Sequence, residues 1–276
     1  MRLEGKAVLG IDAAWTDGEP SGVALLQRKG SRWQCVRAAP SYSAFCGSFE
    51  WTEPFSGAPI DVHELLRACR QLLGAAQPAA VAVDMPLATT RIEGRRRADD
   101  EVSRRFGHCK CAVHSPSRVR PGETGRRLER GFAQAGYSLA TTECNGLPAL
   151  LEVYPHVALL GLSGRSERLP YKAGKTTTYW RGQLAESRKR RLGEEWAAII
   201  ACLQQQIDGI DLPLPDRLEA HSFAFLKRFE DCLDGIVCAW MATKFLEESA
   251  IALGDETAAI WVPSAAMKQA RVLDAA

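Results

Sequence analysis

The sequence predicts a mixed α/β protein, an antiparallel meander of three strands followed by apolar strands that alternate with helices around one core. Three observations carry this expectation. The segments KAVLGI (6–11), SGVALLQR (21–28) and RWQCVRA (32–38) are strand-like and separated by short polar turns, as in a meander. The run PAAVAVDMP (78–86) is short, apolar and closed by a proline, as in a central strand buried on both faces. Apolar residues recur at helical intervals across 61–74 and 222–248, which marks helices that pack on such a sheet.

Taken in order, DVHELLRACRQLLG (61–74) places Val62, Leu65, Leu66, Cys69, Leu72 and Leu73 on a helical period, with Asp61 as N-cap and Gly74 as stop. Residues 98–107 and 124–136 read as helices joined by the irregular GHCKCAVHSPSRVRPG, and LPALLEVYP (147–155) reads as a strand ending at Glu152. The polar, basic stretch 165–191 contains YKAGKTTTYWRG and predicts an irregular flap leading into a helix over about 182–206. In 222–248, Phe229, Cys232, Leu233, Ile236, Val237, Trp240 and Met241 follow the helical period, and AAIWVP (258–263) predicts a late edge strand. With no internal repeat or linker, the expectation is one domain carrying an insertion at about 88–146 and a basic loop at about 165–191.

Length and composition set the outer bounds. The chain has 276 residues, 46% hydrophobic and 25% charged, enough to bury a sizeable core and unlike a disordered chain. It begins without a secretory hydrophobic region and has no run of about 20 apolar residues, so a cytoplasmic location is expected. Nine cysteines read as reduced core thiols. The net charge is only +2, yet residues 91–130 hold twelve Lys or Arg against six Asp or Glu, a local excess that suits phosphates or a solvated helical face.

The chemistry lies in the carboxylates. Asp12, Asp84 and Glu152 each fall at the end of an apolar strand. The late helix carries FEDCLDGIVCAW, which sets Asp231 and Asp234 three residues apart on one face, with Glu230 four before Asp234 and an apolar stripe opposite. If the first and fourth strands are neighbours and this helix crosses their ends, the acids converge and need a compensating cation. Hard oxygen ligands suit Mg2+ or Mn2+, and a pair of such ions would support phosphodiester cleavage by a two-metal mechanism.

The order of three strands, a helix, a strand ending in Asp, a further strand and a last helix bearing DxxD resembles the ribonuclease-H-like fold in its RuvC-type resolvase form. More narrowly, IDAAW (11–15), VDMPL (83–87), RRRADDEVSRRFG (95–107), EVYPH (152–156) and EDCLDGIVCAW resemble the domain of unknown function 429 family, described as predicted ribonuclease-H-like nucleases. The resemblance implies a sheet ordered 3-2-1-4-5 and a metal-dependent nuclease acting on DNA or RNA. It implies Asp12, Asp84 and Asp234 as metal ligands, with Asp231 as partner and Glu152 as an acid beyond the usual four positions.

Other segments add candidates. Lys172, Lys175 and Arg181 in the basic loop could contact a substrate phosphate, and Tyr154 and His156 could stack on or hydrogen-bond the substrate. HCKCAVH (108–114) lacks the paired spacing of ordinary zinc modules and reads as reduced thiols beside loop histidines. No phosphate-binding P-loop, dinucleotide fingerprint, nucleophile elbow or kinase signature occurs. Two alternatives stand beside the nuclease. One is an actin-like phosphotransferase holding nucleotide phosphate through Thr16 and Ser21 of DAAWTDGEPSG; the other is a non-catalytic nucleic-acid- or protein-binding member of the fold.

Overall fold

The apolar run that opens the chain continues into its carboxylate: the first strand, β1, spans Ala7–Asp12. A computed structural model describes residues 3–267. After β1 come β2 (Gly22–Lys29), β3 (Arg32–Ala39), α1 (Tyr42–Cys46), α2 (Val62–Leu72), β4 (Ala80–Val83), α3 (Arg97–Phe106) and α4 (Glu123–Gln134). The second half holds β5 (Ser138–Leu139), β6 (Ala149–Val153), α5 (Pro155–Ser163), α6 (Thr176–Tyr179), α7 (Ala185–Gln204), β7 (Ile207–Asp208), α8 (Phe223–Leu246), β8 (Ala250–Gly254) and β9 (Ala259–Pro263). Local chemistry sets these bounds: Asp61 caps α2 by accepting from the Glu64 amide, and Ser222 caps α8 by accepting from Phe225.

The strands form one sheet ordered β7-β3-β2-β1-β4-β6-β9-β8. The meander β1–β2–β3 is antiparallel, and β1, β4, β6 and β9 run parallel. This mixed sheet with flanking helices agrees with a ribonuclease-H-like fold, and the expected order 3-2-1-4-5 survives as β3-β2-β1-β4-β6. Three departures extend it. The short β5 takes the first half of one edge of β6 and β9 the second half, while β7 lies outside β3. The segment 258–263 is no edge strand, because IALG before it doubles back as β8 and covers β9 on its outer side.

Hydrophobic clusters fill both faces of the sheet. Val8, Ala80, Ala82, Leu151 and Val153 face a core built with α3, α5, α7 and α8, whereas Leu9, Ile11, Val81, Val83 and Leu150 face α1, α2 and α4. Strand alternation fixes this division. The last long helix departs from the amphipathic reading: every residue of α8 from Glu230 to Thr243 is buried, so no solvent face stands opposite an apolar stripe. Its acids are therefore enclosed. The basic loop likewise contains a 3-10 turn at Ala173–Lys175 and the short α6 where an irregular flap was expected. Among the described residues no helix is long and apolar enough to cross a membrane.

Candidate active site

Parallel pairing sets the first two acids side by side. Ile11 of β1 is in register with Val83 of β4, and the Asp84 amide donates to the Ile11 carbonyl at 2.9 Å. Asp12 and Asp84 therefore leave adjacent strand ends on the α8 face. The carboxyl ends of parallel strands are where open α/β sheets bind ligands. Both residues are half-buried and line one cleft of about 550 Å³.

Glycine brings the helix down onto these ends. A Cβ on Gly22 would lie 1.7 Å from the Asp231 carbonyl oxygen, and one on Gly10 would lie 2.1 Å from the Ala239 amide nitrogen. Only a bare backbone admits α8 this close. Asp231 and Asp234, 2% and 0% exposed, are thereby carried to the strand ends.

Two lysines neutralise the helix acids. Lys172 binds Asp234 and lies 3.5 Å from Glu230; Lys227 binds Asp231 and lies 3.4 Å from Glu230. The Tyr171 hydroxyl donates to the other Asp234 oxygen at 2.7 Å, and the Ala173 amide donates to Glu230 at 2.5 Å. Asp12 and Asp84 differ: neither carboxylate has a hydrogen-bond or ion-pair partner among the described residues.

Burial pushes the Asp84 carboxyl well above the usual carboxylate range, the Asp12 charge adds to this, and Lys172 opposes it. Asp12 is also raised by burial, against the pull of Lys172 and Lys227. Asp231 is raised well above its ordinary value by burial in spite of Lys227, and Asp234 is pushed up to about 7 by burial with Lys172 opposing. The site is an acidic cluster short of positive charge.

The donors fit one hard cation better than two. Among the described residues no three His, Cys, Asp or Glu side chains are gathered to hold a metal ion as they stand, since ammonium groups take up Asp231 and Asp234. Among the described residues of the cleft, Asp12 and Asp84 are the carboxylates with neither oxygen bonded, while Asp231 and Glu19 each have one oxygen engaged, and Mg2+ is commonly held by one or two carboxylates with water completing its shell.

Glu152 is placed differently. It is aligned with Val83 rather than Asp84, so alternation turns it to the opposite face of the sheet. Arg96 donates to both its oxygens at 2.5 and 2.7 Å, and the Leu87 amide donates at 2.7 Å. Arg96 also binds Asp99 at 2.7 Å. Burial raises Glu152, with Arg96 opposing. It borders the cleft as a saturated acid.

A second lobe of about 400 Å³ adjoins the first and shares Trp15, Asp84, His114, Lys172 and Lys227 with it. Its wall carries Tyr154, His156, Arg168, Tyr171 and Lys175. Burial, reinforced by Lys172, Arg168 and Lys175, holds the His156 imidazole well below its usual range and neutral. Arg181 is exposed and lines neither lobe. Cys109 and Cys111 lie in the core while His108 and His114 are exposed.

The basic excess at 91–130 is largely spent internally. Arg91, Arg95, Arg96, Arg97, Lys110, Arg126, Arg127 and Arg130 all form ion pairs, whereas Arg120 stacks over Trp15 and lines the cleft. Sequence reading missed Lys227, Arg120 and Arg168. Lys227 had a usable signal in its three- and four-residue spacing from Glu230 and Asp231. Arg120 and Arg168 lie on irregular segments with no periodicity to read.

Fold and site together define a mixed α/β protein of ribonuclease-H-like architecture with an acidic cluster at its parallel strand ends. The chain belongs to the family described as a protein of unknown function, DUF429, whose pattern matches residues 10–259. No curated protein and no solved structure matches it significantly.

Proposed function

We propose that this protein is a phosphodiester hydrolase that acts on nucleic acid with Mg2+ or Mn2+ at the Asp12–Asp84 end of the cleft. One observation carries the reading: among the described residues, two neighbouring strand-end carboxylates have no hydrogen-bond or ion-pair partner, and they share their cleft with Arg120, Lys172 and Lys227. Two half-buried carboxylates side by side are costly without a cation or donor between them, so an unpartnered pair points to a cation from outside. Asp12 and Asp84 would hold that cation, which supplies charge neutralisation at the phosphate and activation of water.

The chain's own groups complete the arrangement. Lys172 and Lys227 stand in for much of the charge of a second ion, holding Asp234 and Asp231 while presenting ammonium donors to the cleft. Tyr171 and Asp234 fix Lys172 in place. Arg120, braced on Trp15, supplies a guanidinium for a flanking phosphate. The phosphotransferase reading is less well supported, because Ser21 is buried, 3% exposed, and the Thr16 hydroxyl donates to Glu19.

The test is cleavage of labelled single-stranded DNA and RNA with Mn2+. Loss of a cation ligand removes several kcal/mol of charge stabilisation, so Asp12→Asn should slow cleavage about a hundredfold or more. Equal rates for the variant and its parent would refute the assignment.

A further inference from the structure

We infer that the second lobe is a phosphate subsite, built by Arg168, Lys175 and His156, that holds a phosphate of the substrate beside the acidic pair. The inference rests on the reading of that pair as the reaction centre, and the two are joined through Asp84 and Lys172, which line both lobes.

His156 gives the first reason. It is 6% exposed, and neither of its ring nitrogens has a hydrogen-bond partner among the described residues; Nδ1 is fully enclosed. Edge contacts with Tyr154 at 5.3 Å and Tyr171 at 5.4 Å hold the ring against the lobe. A buried imidazole without a partner calls for a ligand, and a neutral one keeps an N–H to donate.

Arg168 gives the second. It forms no ion pair among the described residues, and its Nε is buried without a partner. Of the acids that line this lobe, Glu230 is committed to Lys172 and Lys227, and Glu152 and Asp99 to Arg96, which leaves only Asp84, the acid shared with the reaction centre, open among the described residues. Lys175, on the 3-10 turn, likewise has no ion pair. Helix α5 begins at this wall, and its N-cap Tyr154 makes no side-chain cap bond, so its positive end adds to the field. A guanidinium, an ammonium, an N–H donor and an uncapped helix start together match a phosphate.

The phosphate could be a terminal phosphomonoester or an internal diester of the strand. Binding of short oligothymidylates, with and without a terminal phosphate at either end, measured by fluorescence anisotropy in EDTA, separates the two. Arg168→Gln should weaken binding about tenfold or more, and Lys175→Gln, at an exposed side chain that leaves packing intact, about threefold or more. A terminal site shows the loss only with the phosphorylated strand; an internal site shows it equally with all strands. If the parent binds no strand, or if the soluble variants bind every strand within about twofold of the parent, the subsite is wrong. Cleavage separates the two readings: unimpaired cleavage by Asp12→Asn with lost binding in Arg168→Gln defeats the reaction centre alone, and the reverse pattern defeats the subsite alone.

Discussion

Two acidic regions border the same cleft and are built on opposite plans. Glu152 receives three close hydrogen bonds, from Arg96 and the Leu87 amide, and Arg96 is further held by Asp99. Asp12 and Asp84 receive none among the described residues. The first region is complete within the chain, as structural buried acids are. The second is left incomplete at the ends of a rigid sheet, where a ligand can finish it. Proximity to a cleft therefore does not distinguish an acid completed by its own chain from one left open; the count of partners does.

Replacing Glu152 by Gln should produce the larger effect. It leaves a buried guanidinium with Asp99 as its remaining carboxylate partner, and breaking such a pair costs about 3 kcal/mol of stability, read as a lowered denaturation midpoint. A stability unchanged by Glu152→Gln would erase the contrast.

Asp84→Asn should do the opposite and stabilise the protein near pH 7 in EDTA. A carboxyl whose folded value lies above its unfolded value binds more protons when folded, so its contribution to stability falls as pH rises between the two. Asp84 is raised well above its ordinary value by burial and by Asp12. The variant's gain should be about 1 kcal/mol or more near neutrality and fade toward about pH 4. A gain that ignores pH, or a loss at neutral pH, would show that Asp84 is compensated within the chain.

Much of the sheet was legible because strands announce themselves by apolar runs. The meander, the central β4 and the helix cap at Asp61 follow from local pattern alone. The outer edge did not: β8 is five residues with an exposed Ile251, too weak a run to show that β9 would be covered. For the site, Asp12 and Asp84 were visible as strand ends, and DxxD as a helix spacing. The role of Glu152 was hidden because a one-residue register difference decides which face it takes. The glycine contacts that seat α8, and the two lysines that cap its acids, depend on approach distances that no linear pattern records.

The most direct test of the incomplete pair is calorimetric titration with Mn2+ of the parent, Asp12→Asn and Asp84→Asn proteins. The parent should bind the ion saturably, and each variant should bind at least about tenfold more weakly. Equal affinity in all three, or no binding by the parent, would contradict the claim that these two carboxylates are left open for a cation.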